Sequence, residues 1–289
     1  MGRILISGLL VYDSGKTWLG VSLARRLVSQ GVSVGVFKPV AGHDAWRQYP
    51  TIVESFNRGI LIGEDVVKYA SVIGDTALEW MNPIDILLAP PDPLSYLGTN
   101  IYTYLNDLEN QFRQIVLARV SFCSKNSTQH FIFRDNLKRV APSIRRELEL
   151  LTEKLGASEE SLESFIRRLR DGGIEDELME CLRRVEEGRD IVIIESFNNA
   201  VTPFRRVLDT INALIVVAPG AVAVYYNNIG DVLKAVDEAA IRYGERGLES
   251  VHLLSRVSPS ATLHLKPRMS TDEYDDSIEQ LVNLLLSIR

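Results

Sequence analysis

Gly8-Leu9-Leu10-Val11-Tyr12-Asp13-Ser14-Gly15-Lys16-Thr17 is the stretch on which the reading of this sequence turns. Just before it, Arg3 to Ser7 forms a short apolar run bounded by glycines, the pattern of a strand buried on both faces. Just after it, Trp18, Leu19, Val21, Leu23, Ala24, Leu27 and Val28 recur at helical spacing up to about Ser29, and Gly31 follows as a stop signal. Val32 to Phe37 is a second β-branched run. Together they spell a strand–helix–strand unit whose loop lies at the carboxyl end of a strand, where open α/β sheets bind ligands. The expected fold is therefore α/β: a doubly wound, mainly parallel sheet with helices on both faces.

Outward from that unit, Thr51 to Trp80 reads as helical and polar, and Asn82-Pro83 with Pro90, Pro91 and Pro93 demands an extended loop. Phe112 to Cys123 and His130 to Arg134 read as strands around a polar turn. Charged helical segments follow near Ser143 to Leu155, Glu159 to Arg170 and Ile174 to Glu187. Residues 102–189 are accordingly expected to be an inserted, partly helical subdomain within a single domain spanning residues 1–289. The core resumes with short apolar strands at Asp190 to Glu195, Ala213 to Ala218, Val251 to Leu254 and Leu263 to Leu265, and an amphipathic helix from about Thr271 to Ser287 closes the chain.

With 46% hydrophobic and 24% charged residues, the 289-residue chain has ample material for a buried core. A net charge of -6 argues against a surface devoted to nucleic acid, so no nucleic-acid partner is expected. Arg134, Lys138 and Arg139 form a local basic patch, read as a solvated face. Cys123 and Cys181 lie far apart, outside any CxxC pair or histidine cluster, and are expected to be buried apolar residues or free thiols. No apolar run reaches the roughly 18 residues that span a bilayer, so a cytoplasmic protein without a membrane partner is expected.

In a P-loop, backbone N–H groups cradle phosphate oxygens, glycines permit close approach, the lysine reaches the β and γ phosphates, and Ser or Thr binds magnesium. Gly8, Asp13, Ser14, Gly15, Lys16 and Thr17 are the candidates for the cradle. The strict GxxxxGK[ST] spacing is not met, because Leu10 holds the first glycine position. Magnesium-dependent phosphoryl chemistry also needs a carboxylate at the end of another core strand, to hold the ion or its water. Glu195, ending Ile191-Val192-Ile193-Ile194, takes that position unless it is merely an exposed strand end. Asp65 and Asp44 are further acidic candidates. Lys38, between the second strand and Pro39, either faces the cleft and stabilises negative charge or is solvated. His43, His130, His252 and His264 share no ligand spacing; His43 alone neighbours the cleft, as a substrate contact or an incidental loop residue. Tyr225-Tyr226-Asn227-Asn228 either lines a pocket or, as is commoner beside a helix start, supplies packing and capping groups.

These residues resemble dethiobiotin synthetase and its relatives, ATP-dependent amide- and ring-forming enzymes that include cobyrinic acid diamide synthase. The loop is similar to the family's G-T-D-x-x-V-G-K-T with one residue added. Lys38-Pro39-Val40 matches its K-P-V, Gly63-Glu64-Asp65-Val66 its helix with a magnesium aspartate, and Asn82-Pro83 and Pro90-Pro91-Asp92-Pro93 its N-P motif and proline-bearing loop. Beside the family's V-E-G-A-G-G, Ile194 to Asn199 keeps the glutamate in register, and Val201-Thr202-Pro203 resembles the end of that motif. The resemblance covers about the first and last hundred residues. It implies that Lys16, Thr17, Asp65 and Glu195 surround MgATP, with Thr17, Asp65 and Glu195 about the metal. Lys16, Lys38 and Glu195 would be the catalytic groups, with Lys38 facing the γ-phosphate and a small-molecule acceptor. It also implies a homodimer.

The expected activity is Mg-dependent phosphoryl transfer or ATP hydrolysis, with ligase chemistry in which phosphate activates a carboxylate or carbamate for attack by an amine. The alternative is a nucleotide-gated switch or scaffold, in which ATP reorders the insertion and alters a partner interface, with slow hydrolysis as the reset.

Overall fold

Ile4, Leu5 and Ile6 leave the first strand with no polar face, and all three are buried. Such a strand is stable only inside a sheet covered on both sides. The computed structural model describes residues 2–98, 100–267, 270–273 and 275–288. It has two compact units, one made of residues 1–39, 68–81 and 181–289, the other of residues 40–67 and 82–180. In chain order the strands are β1 (Gly2–Gly8), β2 (Val34–Phe37), β3 (Val40–Asp44), β4 (Ile84–Leu88), β5 (Ile115–Phe122), β6 (Ser127–Ile132), β7 (Ser158–Glu159), β8 (Ile191–Glu195), β9 (Ala213–Ala218), β10 (Ala221–Tyr225) and β11 (Ala261–His264).

The first unit holds a six-stranded sheet in the order β11-β10-β9-β1-β8-β2. Its β1, β2, β8 and β9 are parallel, while β10 and β11 turn back as antiparallel strands. The helix α1 (Lys16–Ser29) buries Leu19, Leu23 and Leu27 and packs on β1, β2 and β8. The last helix, Asp276–Ser287, starts at an Asp275 cap, later than expected. It packs on α1, where its Glu279 pairs with Arg26. Of the expected helix start, Tyr274 lies outside the described residues.

The second unit holds a five-stranded sheet in the order β3-β4-β5-β6-β7. The outer pairs are parallel and the inner ones antiparallel. Helices Pro50–Arg58 and Pro142–Leu155 supply Ile52, Ile144, Leu148 and Leu151 to a core shared with Leu87, Leu117 and Ile132 of the sheet.

The fold is thus α/β with mixed sheets. Residues 102–180 of the expected insertion fall in the second unit together with 40–67 and 82–101, and residues 181–189 fall in the first. Val251–Leu254 is not a strand but belongs to the helix Ser250–Leu254. Cys123 and Cys181 are buried as expected, but neither is a free thiol: each is disulfide-bonded. Spacing along the chain, on which that expectation rested, does not limit which thiols oxidise. Among the described residues no helix is long and apolar enough to cross a membrane.

Candidate functional site

Strand register places the central groups of the first unit. Phe37 pairs with Ile194 and Ile6 with Glu195, so Lys38 and Glu195 leave the sheet side by side at the carboxyl ends of parallel strands. The loop 8–17 leaves the same edge from β1, its start anchored where Leu9 N donates to Val217 O at 2.9 Å.

Within the loop, Ser14 Oγ accepts from Leu10 N at 2.9 Å and donates to Leu10 O at 2.7 Å, closing a small ring of chain. Asp13 (φ 55°) and Gly15 (φ 90°) are both left-handed, and Gly15 delivers the chain into α1. Leu10 is not left-handed, so the departure from the strict glycine spacing costs no backbone strain there. Gly8 is needed for another reason: a Cβ on it would lie 2.5 Å from Ser14 Oγ and 3.1 Å from Lys16 Nζ. The lysine ammonium thus passes over bare backbone, and it donates to Asn198 O at 2.6 Å.

Glu195 is only 1% exposed. Its Oε1 accepts from Lys38 Nζ at 2.7 Å and from Thr17 Oγ1 at 3.0 Å, and its Oε2 accepts from Tyr69 OH at 2.7 Å. Glu195 is therefore no exposed strand end, and Lys38, itself buried, is no solvated lysine. An ionised carboxylate has about four acceptor positions, so three donors leave one of them unfilled. The following segment is pinned too. Ser196 N donates to Ile6 O, Val201 N to Leu248 O and Ser250 N to Asn199 O, each at 2.8 Å, with Asn198 left-handed (φ 46°).

Of the expected site residues, Lys16, Thr17, Lys38 and Glu195 all belong to the first unit, as do Gly8, Asp13, Ser14 and Gly15. Asp13 is exposed, whereas Ser14 is buried. Asp65 belongs to the second unit, half-buried in the first turn of the helix Glu64–Ile73. Asp44 also belongs there, its Oδ1 accepting from Trp46 N and Arg47 N. Tyr69 escaped the sequence reading. The signal that points to it is Gly20, a glycine inside an otherwise regular helix: a Cβ there would lie 1.7 Å from the Tyr69 hydroxyl.

His43 is neither a loop residue nor an exposed contact. It lies buried on β3, its Nδ1 2.7 Å from Thr51 Oγ1 and its Nε2 3.2 Å from Asp85 Oδ2. Asp85 faces Arg119 across β4–β5, and Arg119 faces His130 across β5–β6, forming a polar row on one face of the second sheet. Arg119 is fully buried and donates to Leu61 O, Ser121 Oγ and Asn82 Oδ1. His130 Nε2 accepts from Leu61 N at 3.2 Å, which requires that nitrogen to be unprotonated. Burial and the Arg119 charge push His130 down to about 4 from its ordinary 6.5. The unfolded chain then binds a proton that the folded one refuses, so stability is fully present above about pH 6.5 and lost as pH falls toward 4. The expected slope is up to about 1.4 kcal/mol per pH unit within that window. Denaturant unfolding of the native protein and His130→Gln at pH 5 and 7 checks it: the variant should lose most of the difference.

The other marked clusters are structural. Arg134 pairs with Glu159, Lys138 with Asp135 and Arg139 with Asp107, which neutralises the basic patch. Tyr225 is buried with its hydroxyl on Val257 O, and the Asn228 side chain ties to Ser258 and Ser260. Among the described residues no three His, Cys, Asp or Glu side chains converge as a metal cluster. Compared with known proteins, the chain matches no family model, no curated protein and no solved structure.

Proposed function

We propose that the first unit binds MgATP on the loop Gly8–Thr17 and transfers or hydrolyses its γ-phosphate, as a P-loop NTPase of the dethiobiotin synthetase-like kind. The observation that carries this reading is the bare backbone at Gly8 beneath the Lys16 ammonium, where a Cβ would fill the cradle. The loop runs straight into the 14-residue helix α1, whose first-turn N–H groups and dipole favour an anion.

When bound, MgATP supplies the phosphoryl group. Lys16 holds the β and γ phosphates, and Thr17 gives its hydroxyl to the metal. Glu195 orients Thr17 and Lys38 and keeps one acceptor position for a metal-bound water. Lys38 neutralises charge developing on the transferred group. The acceptor is a small-molecule carboxylate or carbamate, and the chain acts as a homodimer.

Lys16→Ala tests the assignment. The lysine is half-buried at the surface, so the fold should persist while ATP affinity falls by roughly 30- to 150-fold, the loss of about 2–3 kcal/mol of charge-assisted bonding. Unchanged affinity by calorimetry overturns the reading.

The bond from Lys16 Nζ to Asn198 O favours a second reading, a nucleotide-gated switch or scaffold acting on a protein partner. It links the phosphate lysine to the segment bonded to Leu248 and Ser250. Turnover separates the two: a ligase stays nearly idle until its acceptor is added, whereas a switch changes partner affinity with nucleotide.

A further inference from the structure

Glycine is among the poorest helix formers, and its presence inside a helix calls for a packing reason. Gly20 occupies the second turn of α1, and a Cβ there would lie 1.7 Å from the Tyr69 hydroxyl oxygen and 2.8 Å from Cζ. The helix is notched at this point, and the phenol uses the notch to reach Glu195. Tyr69 is fully buried, and its hydroxyl bond to Oε2 is as short as the Lys38 bond to Oε1.

A glutamate's last torsion is broad and weakly preferred, so nothing intrinsic fixes how its two oxygens point. Here Oε1 must serve Thr17 and Lys38 together. Pinning Oε2 removes the rotation that would break that double acceptance. Charge alone does not achieve this, because an ammonium beside a carboxylate is satisfied by either oxygen. A neutral, directional donor on the far oxygen does.

We propose that Tyr69 is a positioning residue of the nucleotide site, acting through Glu195 to hold the Thr17 hydroxyl and the Lys38 ammonium in the orientation that MgATP requires, with Gly20 as the notch that admits it. The inference rests on the MgATP reading above. It divides the site in two. The phosphate grip of Lys16 and the loop is independent of Tyr69, whereas the metal-dependent part of binding passes through it.

The test is a titration of a fluorescent ATP analogue against the full chain, without magnesium and over a range of Mg2+ concentrations, for the native protein, Y69F and G20A. Y69F keeps the ring and should still fold, with an unfolding midpoint lowered by the loss of one hydrogen bond to the buried Glu195 carboxylate. Its affinity without magnesium should be native, while its half-saturating Mg2+ concentration rises about tenfold, the effect of one lost hydrogen bond to a charged group. G20A, whose Cβ displaces the phenol, should shift in the same direction. Failure of the native protein to bind the analogue overturns the nucleotide reading and the inference with it. Native binding together with unaltered Mg2+ dependence in Y69F overturns the inference alone, as does a Y69F loss that is equal with and without magnesium.

Discussion

Lys38→Ala is expected to destabilise the protein by about 3–5 kcal/mol, the usual cost of stripping one partner from a buried ion pair. Glu195 is 1% exposed and its oxygen lies 2.7 Å from the lysine nitrogen. The substitution leaves a carboxylate in the interior with, among the described residues, the Thr17 and Tyr69 hydroxyls as its remaining donors. Two hydroxyls satisfy hydrogen-bonding capacity without supplying the opposite charge. Lys38→Ala/Glu195→Gln should recover most of the loss, because the neutral amide no longer needs a cation. Urea unfolding of both variants checks this, and a single-variant loss below about 1 kcal/mol would show that water screens the pair as it screens a surface one. Lys16→Ala provides the contrast, since it should impair ATP binding with little change in unfolding midpoint.

Arg119→Ala is expected to produce a loss of similar size in the second unit, about 3–5 kcal/mol. The guanidinium is fully buried, and it satisfies the Leu61 carbonyl, the Asn82 amide oxygen and the Ser121 hydroxyl while lying opposite Asp85. Among the described residues neither Asp85 oxygen has a hydrogen-bond partner, although His43 Nε2 stands within ion-pairing distance of one. Truncation therefore removes the facing positive charge from an aspartate that has little else. The double variant Arg119→Met/Asp85→Leu should be closer to native than Arg119→Ala, because it also removes the buried aspartate that the truncation leaves without a facing positive charge. Thermal unfolding ranks the variants, and hydrogen exchange along β4, β5 and β6 should localise the weakening.

Most continuous apolar strands were legible in the sequence, although β10, Ala-Val-Ala-Val-Tyr, was not, and elements whose residues mix types were not. β1, β8 and β9 announce themselves as unbroken Ile, Leu and Val runs. In contrast, β3 reads Val-Ala-Gly-His-Asp and presents no period, because its identity comes from pairing with β4. Val251 to Leu254 shows the opposite failure: a four-residue apolar run fits a strand or a buried helical turn equally well, and the chain makes it helical. The loop, Lys38 and Glu195 were found because they sit at strand ends, where register converts sequence position into proximity. Tyr69 was hidden because its partner lies 126 residues away and a helix carries it there.

The route of the chain limits how the protein can be dissected. The polypeptide passes from one unit to the other after residues 39, 67, 81 and 180, and the crossing at 67 falls inside the helix Glu64–Ile73. No single pair of cuts releases either unit as a continuous fragment. Replacing all of residues 40–180 by a short linker would also delete Tyr69, so the shortened protein would lack a donor to Glu195 while retaining the loop, Lys38 and Glu195 itself. A minimal version must keep residues 68–81 between two separate linkers, and comparing the two designs measures what that borrowed segment contributes.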